Sequence, residues 1–331
     1  MSERSGHAPG TITYADLPAG MPGTTPFAVV GDPQDTLWLE RMIMRRESNR
    51  AERDRLFAHL AGRQPAFLAI AGDLTSSGWS SRAWRTFDRL MAPMRREGVP
   101  VLPIMGNHDY GILRANAARR FGDHGFVRAL AARRFAARFP QFARARWYAR
   151  TYGRLAMLFL DSNAAALTGE EWQRQKEWFA AALDAYDGDP AVGGVLVFAH
   201  HPPFTNSTIF RDDAAVQEAF VERFVRSPKT VAMISGHAHA YEHFIERDRH
   251  FIVTGGGGGP RVRLLEGAAR RHADLFVGGS PRPFHYLWIT PRPQGLSIVV
   301  EGLDKGATTL ATIDRFELPF RAGGASAATS R

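Results

Sequence analysis

Asp32 with Gln34, Asp73, Asn107 with His108 and Asp109, His200 with His201, and His237 with His239 are the residues of this chain whose types and spacing could do chemistry. Each group directly follows a short apolar run. Carboxylates and imidazoles are costly to bury alone, and a crowd of them needs a cation to hold it together. The donors are Asp, Asn, Gln and imidazole, with no thiolate, a set that suits Mn, Fe or Zn. There are more donors than one four-coordinate site uses. Two ions about 3.5–4 Å apart, sharing a bridging carboxylate, would use them. Such a pair binds phosphate oxygens, generates hydroxide, and stabilises the entering and leaving oxygens of an in-line displacement.

The elements that must position these groups are legible as apolar runs closed by small or polar residues. Phe27–Val30, Phe67–Ile70, Val101–Met105, Leu155–Leu160, Val195–Ala199 and Val231–Ile234 predict strands buried on both faces. Helical patterns lie between them at Leu37–Leu60, Ser81–Met94, Glu170–Leu183 and Asp213–Phe224. Alternating strand and helix predicts an α/β layered domain, and carboxyl ends of parallel strands converge on one crevice. The last third is richer in strand signals, at His250–Thr254, Phe284–Thr290, Leu296–Val300 and Thr308–Phe316, so the sheet, or a second sheet, becomes mixed there. Gly255–Gly259 lacks the Lys-Ser/Thr of a P-loop and the spacing of a dinucleotide fingerprint, and reads as a flexible turn near the site.

Composition narrows the classes. The chain has 331 residues and no Cys, which excludes thiolate catalysis, Cys-ligated metal and disulfides. Residues 1–26 read as a loose polar lead-in without a signal-peptide core, and the tail 321–331 is Gly/Ala/Ser-rich. No run reaches the roughly eighteen apolar residues of a membrane span, so a cytoplasmic protein is expected. Net charge is +9 (42 basic minus 33 acidic), but 39 of the basic residues are Arg, a bias that fits codon composition as well as design. Between Tyr110 and Arg154 there are eleven Arg and one acid, Asp123. That segment is either an anion-attracting rim or a solvated helical insertion.

The motifs GD at 31–32, GDL at 72–74, GNHD at 106–109, HHPPF at 200–204 and GHAHAYEH at 236–243 resemble the calcineurin-like metallophosphoesterases. The last block and the glycine run look most like the purple acid phosphatase branch. The resemblance covers roughly Phe27 to Pro260. It implies a four-layer α/β/β/α sandwich with two mixed sheets, here one domain over 27–320 carrying a basic insertion at about 110–154. It implies that Asp32, Gln34, Asp73 and His239 hold a first metal, and that Asp73, Asn107, His200 and His237 hold a second. Asp73 would bridge. His108 would stand over the phosphate as general acid or charge-stabilising donor, with Asp109 orienting its ring. His201 would pack or line the pocket.

Two positions depart from the family. Gln34 stands where His is common, and an amide is a weaker ligand than imidazole. Ser76 stands where the purple enzymes carry the Tyr that colours their iron, so no iron–tyrosinate centre is expected. The implied function is metal-dependent hydrolysis of phosphoesters, as a phosphatase or phosphodiesterase using a metal-bound hydroxide. The substrate would be a small molecule, nucleotide, phospholipid headgroup or phosphoprotein. The rivals are a nuclease on the same scaffold and a non-catalytic phosphate-binding or scaffolding protein with a weakened first site. Nucleic acid is disfavoured by the lack of aromatic–basic interleaving.

Overall fold

The computed structural model describes residues 11–36, 42, 43, 45–111 and 125–321. Residues 1–10 of the expected lead-in, 37–41 and 44 of the first expected helix, 112–124 of the basic segment and 322–331 of the tail lie outside the described residues.

Two six-stranded mixed sheets form the frame. The first contains Phe27–Val30 (β1), Leu68–Ile70 (β2), Val101–Pro103 (β3), Phe284–Arg292 (β10), Gly295–Leu303 (β11) and Ala311–Pro319 (β12). Its order is β12-β11-β10-β1-β2-β3, with β1, β2 and β3 parallel. The second contains Tyr148–Tyr152 (β4), Leu155–Phe159 (β5), Gly194–Phe198 (β6), Thr230–Ser235 (β7), Tyr241–Glu246 (β8) and Arg249–Thr254 (β9). Its order is β4-β5-β6-β7-β9-β8, parallel from β5 to β9 and antiparallel at both edges.

Strand parity builds the layers. Leu155, Met157 and Phe159 of β5 join a core shared with the first sheet, whereas Ala156 and Leu158 join a second core with Phe179, Leu183, Phe220 and Phe224. A period-two alternation with both faces buried is what a central strand between a sheet and a helix layer requires. The helices are Arg50–Gly62 (α1), Ser81–Leu90 (α2), Ala92–Arg96 (α3), Gly125–Ala136 (α4) and Gly169–Gly188 (α5). A further helical stretch at 214–226 is broken by a π-helical turn, Gln217–Val221. Thr168 and Glu171 close a capping box on α5, and the Ser80 hydroxyl accepts the Ala83 N–H to start α2.

Several boundaries differ from expectation. Among the described residues of the predicted helix Leu37–Leu60, Met42 is helical, 45–49 are not, and α1 starts at Arg50. The stretch before it is drawn to the glycine run instead: Asn49 Nδ2 donates to Gly259 O at 2.8 Å, and Glu47 pairs with Arg261 at 2.9 Å. The predicted helix Ser81–Met94 is two helices, with the break at Met91 ahead of Pro93. Strands β4 and β8 were not predicted: β4 is an edge strand with half-exposed and exposed polar positions, and β8 is an edge strand that buries the polar Glu242 and His243 and exposes Ile245. Residues 11–26 are not a loose lead-in. Tyr14 and Leu17 are buried, and the Tyr14 ring stacks on Phe139 at 5.1 Å.

The basic segment is also part of the fold. Phe135, Phe139, Phe142 and Tyr148 are buried in the main core. Arg138 pairs with Asp88 at 3.3 Å, Arg146 with Glu171 at 2.6 Å, and Arg150 with Asp16. Those three guanidiniums serve the packing rather than an open basic rim.

Candidate metal centre

Five strand ends deliver the sequence-predicted residues to one place. Asp32 is two residues past β1, Asp73 three past β2 and Asn107 four past β3. His200 is two past β6, and His237 and His239 are two and four past β7. Gly31 N–H donates to Thr254 O at 2.8 Å, joining the two sheets, and Asp32 N–H donates to Gly72 O at 3.1 Å, joining the turns after β1 and β2.

Asp32, Asp73 and His239 bring one donor atom each within 4.8 Å of one another. His239 Nε2 lies 3.3 Å from Asp32 Oδ1, and Gln34 Nε2 lies 3.3 Å from Asp73 Oδ2 and 3.4 Å from His239 Nε2. His200, His201 and His237 form a second such group within the same 4.8 Å. His200 Nε2 lies 3.4 Å from Asp73 Oδ2 and 3.1 Å from Asn107 Oδ1. Asp73 therefore reaches both groups.

The donors fit a cation. His200 Nδ1 lies 2.8 Å from Ala71 O, and His239 Nδ1 lies 2.8 Å from Pro260 O. A carbonyl accepts only, so each Nδ1 carries a hydrogen, and each Nε2 is the nitrogen that faces the carboxylates. Asp32 Oδ1 and Gln34 Oε1 are buried and take no hydrogen bond among the described residues. Buried oxygens without donors are what a cation satisfies. The Gln34 amide also meets Asp73 and His239 through its nitrogen; turned by half a rotation, its oxygen would face the same space.

Electrostatics are consistent with that fit. Burial alone would raise Asp73, but the charges of His200 and His108 outweigh it and hold the carboxyl well below the usual range. Burial works against a charged His200, yet Asp73 outweighs it and pushes the imidazole up to about 10. Burial likewise opposes His239, and Asp32 beside it raises it. Asp32 is raised by burial despite His239. Burial holds His237 well below its ordinary value, reinforced by His201 and His200, and takes His201 down to about 3. Protons on the Nε2 atoms of His200 and His239 thus answer the two carboxylates, and a cation held by these residues would take their place.

The backbone is strained at the same points. Asp32 (φ +57°), Asp73 (φ +53°), His237 (φ +66°) and His239 (φ +34°) are all left-handed without being glycine. Such residues persist where surrounding structure over-determines them, and they cluster at functional sites. Glycines make the room. A Cβ at Gly106 would fall 2.1 Å from Asp73 Oδ1, and one at Gly259 within 2.9 Å of three atoms of the His239 ring. The glycine run is therefore a buried wall, not the flexible turn expected. Gly257 N–H donates to Gly31 O at 2.8 Å and Gly259 N–H to Asp32 O at 2.9 Å.

His108 is held by its backbone, whose N–H donates to Asp73 Oδ1 at 2.8 Å, and its Nδ1 lies 3.2 Å from Ser76 O. Asp109 does not orient that ring, contrary to expectation. Its carboxylate is fully buried and accepts from the N–H groups of Leu74, Thr75 and Gly106 and the Thr75 hydroxyl, at 3.0–3.1 Å. Backbone donors at the ends of β2 and β3 have claimed it. Burial, with Asp73 nearby, raises Asp109 to about 7.

Two contributors escaped the sequence reading. The Phe210 ring covers His237 at 4.2 Å between centroids. Ser162 Oγ lies 2.9 Å from His201 Nδ1. Ser162 follows a predicted strand, so its position was a usable signal; Phe210 had none, because nothing marks a lone loop aromatic.

Carboxylates and imidazoles from both mixed sheets thus meet at the carboxyl ends of their strands, a donor set that fits metal ions. Residues 25–241 match the calcineurin-like phosphoesterase family, and the chain belongs to it. Among curated protein sequences none matches. Similar solved structures include a purple acid phosphatase from yellow lupin (Lupinus luteus) seeds, at 15% identity and a TM-score of 0.62 over 91% of this chain and 54% of that one. This chain thus spans about half the length of the lupin protein. A dimetal phosphatase from Danio rerio is 15% identical, with a TM-score of 0.55 over 90% of this chain and 99% of that one. The anchor protein in the inner membrane complex of Plasmodium is 14% identical, with a TM-score of 0.59 over 90% of each chain. These likenesses concern the fold. No helix among the described residues is long and apolar enough to cross a membrane.

Proposed function

We propose that this metal-dependent phosphoester hydrolase works through a two-ion centre, with Asp32, Gln34, Asp73 and His239 holding one ion and Asp73, Asn107, His200 and His237 the other. The observation that carries the reading is Asp73, whose carboxylate lies within 3.4 Å of both His200 and Gln34, between two donor groups. Mn, Fe or Zn suits the donors. When bound, such a pair supplies charge neutralisation at the phosphate oxygens and activation of water for in-line attack.

The chain's own residues do the rest. Asp73 fixes His108 through its backbone N–H, so the imidazole is positioned by the same carboxylate that joins the two groups. From there the ring donates a proton to the leaving oxygen. Phe210 walls the His237 side. A phosphate monoester or diester of a small molecule, nucleotide, lipid headgroup or protein is the substrate class. The nuclease alternative loses support, because Arg138, Arg146 and Arg150 are engaged in internal ion pairs.

The test is hydrolysis of aryl phosphate mono- and diesters by metal-stripped protein, with Mn, Fe, Zn, Mg or Ca added back singly. Turnover restored by metal, and reduced about 10²–10⁴-fold in His108→Ala with the ions still bound, supports the reading. Bound ions without turnover on either ester would sink it.

A further inference from the structure

The three imidazoles of His200, His201 and His237 are closer to one another than a two-imidazole site needs. Ring centroids are 4.9 Å apart for His200 and His201, 5.0 Å for His200 and His237, and 4.6 Å for His201 and His237. Each ring brings a nitrogen within 4.8 Å of the other two. Among the described residues none hydrogen-bonds the His237 ring. No hydrogen bond joins the three rings, and a cation is what would satisfy three imidazole nitrogens brought this close together.

Ser162 supports the His201 ring as backbone carbonyls support His200 and His239. Its Oγ accepts the His201 backbone N–H at 3.0 Å and lies 2.9 Å from Nδ1. A hydroxyl has two lone pairs, so it can take both hydrogens. In that arrangement Nδ1 is the donor, and the lone pair of His201 sits on Nε2. A ligand whose other nitrogen donates to a fixed polar partner is the usual arrangement at metal sites.

Resting on the two-ion reading, we infer that His201 is a further ligand of the second position. That position then becomes a three-imidazole site preferring Zn²⁺, beside a first position, rich in oxygen, that prefers Mn²⁺. The basis of the preference is donor softness: imidazole suits zinc, whereas carboxylate and amide oxygens suit manganese. Gln34 in place of an imidazole widens the contrast, since it leaves His239 the single nitrogen ligand of the first position.

The experiment is titration of metal-stripped protein with Zn²⁺ and with Mn²⁺, followed by calorimetry, for wild type, His201→Ala and Ser162→Ala. Co²⁺ substitution, read by visible absorption, reports the ligand set independently. Wild type is expected to take two ions, with one Zn²⁺ bound more tightly than the other. His201→Ala should weaken that ion 10–100-fold and change the Co²⁺ bands; Ser162→Ala should weaken it about tenfold. Mn²⁺ affinity at the first position should change less than twofold in both. Two ions bound with unchanged Zn²⁺ affinity and Co²⁺ bands in His201→Ala would overturn this inference and leave the two-ion reading standing. A wild type that binds no ion would remove both. If His201→Ala fails to fold, by circular dichroism of the metal-stripped protein, Ser162→Ala decides: the tenfold weakening supports the inference, and its absence overturns it.

Discussion

The Asp109 carboxylate accepts both the backbone N–H of Thr75, at 3.0 Å, and its hydroxyl, at 3.1 Å. Through these bonds and the one from Gly106, the turns after β2 and β3 are tied together beneath Asp73. Asp109→Ala leaves buried N–H groups unpaired, each costing about 1–3 kcal/mol, so a total loss of about 3–5 kcal/mol is expected in urea unfolding. Full stability with lost turnover would instead return Asp109 to the role of orienting His108.

Gly259→Ala puts a methyl against the His239 ring, with no positive φ to complicate it. Weakening of the first ion by about tenfold or more is expected, with Zn²⁺ at the second position retained. Metal content per chain after dialysis reads both, and unchanged occupancy would remove the wall from the account of the site.

Ion binding should release protons. The His200 imidazole is pushed up to about 10 by Asp73 against burial, so below that pH it is charged and must lose its proton to bind. Affinity therefore rises with pH, by about tenfold per unit for each proton displaced. Calorimetry in buffers of different ionisation heat measures the release directly. Absence of proton release near pH 7 would contradict His200 as a ligand.

Glu242 is fully buried on β8, and burial raises it from 4.5 to about 7 although Thr205 and Asn206 donate to it. A carboxyl raised on folding stabilises the fold below its unfolded pKa and loses that contribution as pH rises through the folded value. The window is pH 4.5 to about 7, and the scale is about 3 kcal/mol. Glu242→Gln should flatten the fall in unfolding free energy across that window. An unaltered pH profile would show that Glu242 titrates normally.

The strand ends were legible because buried parallel strands write themselves as short apolar runs, and Asp or His straight after such a run has no packing reason to be there. The two-sheet architecture followed from the family resemblance more than from pattern. Edge strand β4 stayed hidden because polar positions interrupt its apolar pattern, and β8 because it buries Glu242 and His243 where the pattern expects apolar side chains. Asp109 misled for another reason. The resemblance assigned it to the His108 ring, whereas the backbone N–H groups of Leu74, Thr75 and Gly106 had the better geometry. Five consecutive glycines look mobile in one dimension; their role as a wall depends on which side chains the fold brings against them.

The left-handed backbone at Asp32, Asp73, His237 and His239 has an evolutionary corollary. Glycine adopts those angles without strain, and each non-glycine residue there costs the fold about 1–3 kcal/mol. On the two-ion reading, drift toward glycine at these four codons would relieve strain at the cost of the ligands, so a relative without the chemistry is expected to carry glycine at some of these strand ends.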